Sequence, residues 1–245
     1  MKTVVISNRK GGSAKTTTAI NLASQLAQKS EVLLIDFDTQ GHSRFGIGAN
    51  SVEKGGVHSI FKGATLSENF VPTNLPNLTL APADENFDVF EYSDLYGTLK
   101  KRFEEEFIGD FFDYCIIDTA PTYDGILKNA LDVADAVIVP TVPHHLGQVS
   151  VGQMMRAIYQ TTTKSRDKPP FVGILPVMFN PHIVSHKEII ENIKKIYGKD
   201  KVFSPINVDI DLAKQFKEKR AVVLNRRGRG RDSYINFTKE LIERI

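Results

Sequence analysis

The sequence predicts an α/β fold: a mostly parallel, twisted β-sheet with helices on both faces. Short apolar runs rich in Val and Ile recur along the chain, and most are followed by a stretch of helical periodicity. Runs that are apolar throughout, rather than alternating, mark strands buried on both faces, as parallel strands are. Strand and helix taking turns is the βαβ pattern. Right-handed crossovers then distribute the helices over both faces. A third observation is that two of the apolar runs end in acids, at carboxyl ends of strands where ligands of open α/β sheets bind.

Taken in order, the strand runs are Thr3–Ile6, Val32–Ile35, Tyr114–Ile117, Ala136–Val139 and Phe171–Val177, with weaker candidates at 77–82 and 201–204. Helical patterns lie at 15–28, 91–107, 124–133, 147–163, 185–197, 210–219 and 232–244. Residues 41–75 are rich in Gly, Ser and Asn and predict loops with one short helix. No linker, internal repeat or low-complexity tract divides the chain, so residues 1–245 are expected to form one domain.

Composition narrows the class. The single cysteine, Cys115, excludes a disulfide within the chain and a zinc or iron–sulfur centre held by cysteines of one subunit. It fits a reducing compartment. The start, MKTVVISNRKGG, turns polar too early for a signal peptide. No apolar run approaches the ~18 residues of a membrane span. The expected location is cytoplasmic.

After the first strand comes Arg9-Lys10-Gly11-Gly12-Ser13-Ala14-Lys15-Thr16-Thr17-Thr18, then an amphipathic helix. A strand, a glycine-containing loop and a helix N-terminus make an anion site, because loop amides and the helix dipole converge on phosphate oxygens. Lys15 is placed to reach the terminal phosphates, and the Thr16 hydroxyl to ligate Mg²⁺. The strict G-x-x-x-x-G-K-[ST] pattern is not met, because Arg9 and Ala14 occupy its glycine positions. The segment has the deviant form K-G-G-x-x-K-T, with an additional lysine, Lys10.

The second strand runs into Asp36-Phe37-Asp38-Thr39-Gln40-Gly41, and the strand at Tyr114 into Asp118-Thr119-Ala120-Pro121. An Asp at the end of a buried strand suits a Mg²⁺-nucleotide, since Mg²⁺ keeps several waters that a carboxylate can hold. An acid beside the terminal phosphate can orient the attacking water.

These three segments together resemble the ParA/MinD family of deviant Walker A P-loop ATPases, and most of all its ParA/Soj-type partition members. Weaker similarity continues through Ala134–Pro140 and Gly173–Leu175. The resemblance implies ATP and Mg²⁺ as cofactors and a homodimer with ATP sandwiched at its interface. It implies that Lys10 is a signature lysine reaching the partner's nucleotide, and that Gly11, Gly12, Ser13, Ala14, Lys15, Thr16 and Thr17 hold phosphate. Asp38 carries over as the residue that positions or activates water, Asp118 as the Walker B acid and Asp36 as a supporting acid. Asn180 resembles a position that reads the adenine edge, and Pro205 lies in the loop that covers adenine. Hydrolysis stimulated by a ParB-like partner is also implied. Ala14 stands where the family has Gly, which opens a second reading: an ATP-binding dimer with little hydrolysis.

The net charge of +2 conceals an asymmetry. From Lys214 to Arg231 there are eight Lys/Arg (Lys214, Lys217, Lys219, Arg220, Arg226, Arg227, Arg229, Arg231) against one acid, Glu218, so +7 sits on 18 residues and −5 on the remainder. Such a cluster can contact nucleic-acid phosphates without reading sequence, and non-specific DNA is the expected partner. Asp209 falls where the family has an arginine in that surface. A MinD-like membrane switch is the other alternative. However, the segment 232–245 mixes both charge signs behind Tyr234, Phe237, Leu241 and Ile245, whereas a membrane-surface helix favours Lys and Arg. That segment is expected to pack on the domain. His144 and His145 follow Pro143 and are expected in a solvent-exposed loop.

Overall fold

Residues 1–49, 55–89, 96–165 and 168–245 are described by the structure, a computed structural model. The Val- and Ile-rich runs form β1 (Lys2–Ile6), β2 (Val32–Phe37), β5 (Tyr114–Thr119), β6 (Ala136–Thr141) and β7 (Phe171–Pro176), and the weaker candidate at 77–82 forms β4 (Leu78–Ala81). With the two-residue β3 (Val71–Pro72) they make one sheet, ordered β3-β4-β2-β5-β1-β6-β7. Every pairing is parallel except β3 with β4. The helices are α1 (Lys15–Leu26), α2 (His42–Ile47), α3 (Thr98–Glu105), α4 (Ile108–Phe111), α5 (Gly125–Val133), α6 (His145–Ser165), α7 (Val184–Tyr197), α8 (Ile210–Glu218) and α9 (Arg229–Ile242).

Strand side chains alternate between faces, and the core divides accordingly. Val5, Leu33, Ile35, Cys115, Ile117, Val137 and Val139 pack on one face with residues of α5, α6 and α7. Val4, Ile6, Val32, Leu34, Ile116 and Ile138 pack on the other with residues of α1 and α9. Tyr234, Phe237 and Leu241 of α9 are at most 1% exposed, so the apolar stripe of the last helix is spent on the core. Burial raises the pKa of the Cys115 thiol, as for an inert core cysteine.

Strands extend past the predicted ends because Asp36, Asp118 and Thr141 continue the ladder. Pro140 is tolerated inside β6 because β1 pairs no further than Ile6 with Ile138. Beyond that point Pro140 offers its carbonyl to Asn8 Nδ2, at 2.7 Å. The candidate strand at 201–204 is not one. Phe203 N donates to Ile174 O and Ile206 N to Pro176 O, but Pro205 between them has no N–H, so only a bridge at Val202 survives beside β7. Within 41–75 the short helix is α2, and β3 is an edge strand that the sequence pattern does not reveal. Of the helix expected over 91–107, α3 (Thr98–Glu105) is observed, and the chain turns at Phe107, with a positive φ of 51°, into the short α4 just beyond the expected range. Residues 91–95 of that expectation lie outside the described residues.

A buried asparagine ties α1 to the C-terminal elements. Asn21 Nδ2 donates to Thr17 O and to Gln215 Oε1, both at 2.8 Å, and Asn21 Oδ1 accepts from Val223 N at 3.1 Å. Asn21→Ala strands the Val223 donor and the Gln215 acceptor in the core. The expected cost is about 2–4 kcal/mol. Equilibrium urea unfolding measures it, and an unchanged midpoint would contradict this role.

Candidate functional site

The carboxyl ends of β1, β2 and β5 lie side by side. In the register Ile6 pairs with Asp118, and Asp118 with Asp36, so the phosphate loop and both acidic strand ends open at the same level. The loop starts where β1 stops. Gly12 has φ 70° and Ala14 φ 59°, and α1 begins at Lys15. A Cβ built on Gly11 or Gly12 would meet no atom within 4 Å, so these glycines leave the loop backbone bare toward solvent. Gly11, Gly12, Ser13, Ala14, Lys15, Thr16, Asp38, Thr39, Gln40, His42, Ala120, Pro121 and Thr122 line an open cleft of about 560 Å³. That is ample for a nucleotide's phosphates.

The acids behind the cleft are buried. Asp36 is 1% exposed and Asp118 is fully buried. Asp36 accepts from Asp38 N and Ser43 N, both at 3.1 Å. Burial raises its pKa to about 7, against those hydrogen bonds. Burial and then the neighbouring Asp36 push Asp118 well up, while the Thr16 hydroxyl and Lys15 favour its charged form. Lys15 is 7% exposed. Burial lowers its pKa, and Asp118 and Asp38 counter this. Its Nζ donates to the Lys10 carbonyl at 3.5 Å.

Asp118 Oδ2 accepts from Ser43 Oγ at 3.5 Å, and Oδ1 has no hydrogen-bond partner among the described residues. A buried, unpartnered carboxylate oxygen beside a second carboxylate is what a hydrated divalent cation satisfies. The donor set therefore fits Mg²⁺, with Thr16 and Asp118 the residues that would hold it. Asp38 lies two residues beyond Asp36 and is half-exposed on the cleft wall, where its Oδ1 accepts from Gln40 N at 3.1 Å.

Not every predicted residue meets the cleft. Asn180 follows β7, and its Oδ1 accepts from His182 N at 3.0 Å. Pro205 lines a separate cavity of about 580 Å³ with Phe179, Phe203 and Arg244. Thr17 lies in the first turn of α1. The basic residues Lys214, Lys217, Lys219, Arg220, Arg226, Arg227 and Arg229 are all exposed along α8, the following turn and the start of α9. Arg231 is half-buried and pairs with Asp232 at 2.7 Å.

Asp209 has a structural task. Its Oδ1 accepts from Asp211 N at 3.0 Å and its Oδ2 from Gly230 N at 2.7 Å, so one carboxylate caps the N-termini of both α8 and α9. Ser43 is a site residue that the sequence motifs do not single out. The available signal was a serine just after Gly41-His42, in a first helical turn beyond an acidic strand end. His144, expected in a solvent-exposed loop, is instead half-buried with Nε2 3.1 Å from Lys10 Nζ.

Ala14 is the strained element of the loop. An L-residue in the left-handed region costs roughly 1–2 kcal/mol, and part of this returns when glycine loosens the unfolded chain. Ala14→Gly is therefore expected to stabilise the protein by up to about 1 kcal/mol. A lowered thermal midpoint would contradict that.

A family model described as "AAA domain" matches residues 1–169. The chromosome partitioning protein ParA of Caulobacter vibrioides is 28% identical, over 100% of this chain and 95% of its own. The sporulation initiation inhibitor protein Soj of Bacillus subtilis is 28% identical, over 98% of each chain. The solved structure of a Borrelia burgdorferi plasmid partition protein bound to AMPPNP superposes with a TM-score of 0.82 at 23% identity, covering 100% of this chain and 99% of that one. With its deviant phosphate loop, paired acidic strand ends and full-length similarity to partition proteins, this chain belongs to the AAA-domain family and, within it, to the ParA/MinD group of P-loop ATPases.

Proposed function

We propose that residues 1–245 act as one P-loop ATPase domain that switches between monomer and ATP-bound homodimer, binds DNA non-specifically as the dimer, and so positions a plasmid, chromosome or other cargo. The observation that carries this is the cleft where the bare loop Gly11–Thr16 faces Asp38 and the buried pair Asp36 and Asp118. Full-length similarity to partition proteins supports the cargo.

Bound ATP would supply the phosphoryl group, and Mg²⁺ would neutralise its charge. Lys15 and the loop from Lys10 to Thr17 bind phosphate oxygens. Thr16 and Asp118 would hold the metal's shell, and Asp36 keeps Ser43 and the Asp38 backbone in place. Asp38 orients the attacking water toward the terminal phosphorus. Lys10 of one subunit opposes charge developing at its partner's nucleotide, as an arginine finger does. Asn180 and the Pro205 loop are assigned to adenine. A ParB-like partner accelerates hydrolysis and returns the protein to the monomer. The protein is cytoplasmic and nucleoid-associated while dimeric.

Ala14, with φ 59°, favours a second reading, in which ATP assembles the dimer but hydrolysis is nearly silent until a partner reshapes the loop. The membrane alternative finds no such support, because the apolar stripe of α9 lies in the core. No helix among the described residues is long and apolar enough to cross a bilayer.

Asp38→Ala is expected to lower phosphate release by about 10²–10⁴-fold while ATP still assembles dimers. Unchanged turnover would remove Asp38 from the mechanism. Combined Arg226→Glu, Arg227→Glu and Arg229→Glu is expected to weaken binding to random duplex DNA. It should also flatten the slope of log K against log salt by about 0.9 for each DNA phosphate left without its cation. An unchanged slope would move the DNA face elsewhere.

A further inference from the structure

A closed ring of polar contacts joins the phosphate loop to the start of α6. Lys10 N donates to Asn8 Oδ1 at 3.0 Å. Asn8 Nδ2 donates to Ser150 Oγ at 3.2 Å, and Ser150 Oγ to Gly147 O at 2.7 Å. Gly147 N donates to His144 Nδ1 at 2.9 Å. His144 Nε2 closes the ring 3.1 Å from Lys10 Nζ. Asn8 and Ser150 are 1% and 4% exposed, so most of the ring is fixed in the core. The Lys10 side chain and the His144 imidazole are its movable parts.

The imidazole cannot serve both neighbours. A neutral histidine has one acceptor nitrogen, and here each nitrogen faces a donor. If Nδ1 accepts, the residue caps α6 at Gly147 and its Nε2–H confronts the Lys10 ammonium. If Nε2 accepts, Lys10 is held and the helix loses its cap. A protonated ring can do neither. The charged or titratable groups facing His144 are Lys10 from the phosphate loop and His186 from α7.

We propose that His144 is a positioning residue for Lys10: it holds the lysine against its own subunit, and tautomer exchange or protonation of the ring releases it toward the dimer partner. The inference rests on the reading of Lys10 as the cation that crosses the interface. Burial and then Lys10 lower the His144 pKa, so the neutral ring, the only form able to hold Lys10, prevails at neutral pH. The ring also makes release of Lys10 an event at the N-terminus of α6. There Leu146 and Val149 stand 64% and 45% exposed.

Two measurements test this separately from the dimer assignment. The first follows the His144 ring resonances by NMR through a pH titration of wild type and Lys10→Met. The expected result is a higher midpoint in Lys10→Met, and identical midpoints would show that the two side chains do not meet. The second is sedimentation with Mg²⁺ and a non-hydrolysable ATP analogue, from about pH 8 to about pH 5.5, across the range where histidine charges.

Wild type is expected to dimerise about threefold or more tightly at the acid end, as the fraction with free Lys10 rises. His144→Asn keeps a capping oxygen for Gly147 but has no titrating ring. It should be tight and lose the part of the pH dependence that belongs to His144. A wild-type profile in His144→Asn would overturn the proposal. Lys10→Met that dimerises like wild type would instead overturn the cross-interface role of Lys10, leaving the NMR result to judge the contact itself.

Discussion

Asp36 and Asp118 end two adjacent parallel strands in paired register, both buried, and the rest of the site answers to that juxtaposition. Two carboxylates in a dry place cannot both ionise without a cation. Lys15 is the nearby cation built into the fold, itself buried and itself discouraged from charging. Asp36 is partly provided for by Ser43 and the Asp38 backbone, whereas Asp118 keeps one oxygen unpartnered among the described residues. The buried pair is relieved by a further positive charge, which the Mg²⁺ of the proposed nucleotide complex would bring.

The same strand ends fix the neighbouring parts. Because β1 pairs with β5 up to Ile6 and Asp118, the phosphate loop emerges at the level of the acids. Because β6 runs on past β1, Pro140 can present its carbonyl to Asn8, and Asn8 in turn positions the Lys10 backbone. The proposed phosphate loop is therefore braced from β6 and α6, and the acids from α2. A change at the proposed nucleotide site would have a route to α6 through the first brace.

Much of this was legible in the sequence. Val- and Ile-rich runs marked five strands, the weaker candidate at 77–82 became β4, and the acidic strand ends marked Asp36 and Asp118, because burial and strand termini both write local patterns. The glycine-lysine loop was readable for the same reason. What stayed hidden depends on neighbours distant in the chain. His144 looked like a loop residue because Lys10 is 134 positions away. Asp209 looked like a misplaced charge because its second partner, Gly230, lies 21 residues on. Ser43 lacked a motif, and β3 is too short for periodicity to register. The segment 201–204 misled because its apolar residues pack like a strand while Pro205 interrupts the hydrogen bonding.

In the proposed switch, ATP bound in the cleft lets two chains pair. Sedimentation velocity of the wild-type protein with Mg²⁺ and either ADP or a non-hydrolysable ATP analogue separates the two states. A monomer is expected with ADP and a dimer of twice the mass with the ATP analogue. The same sedimentation coefficient in both nucleotides would sink the dimer switch.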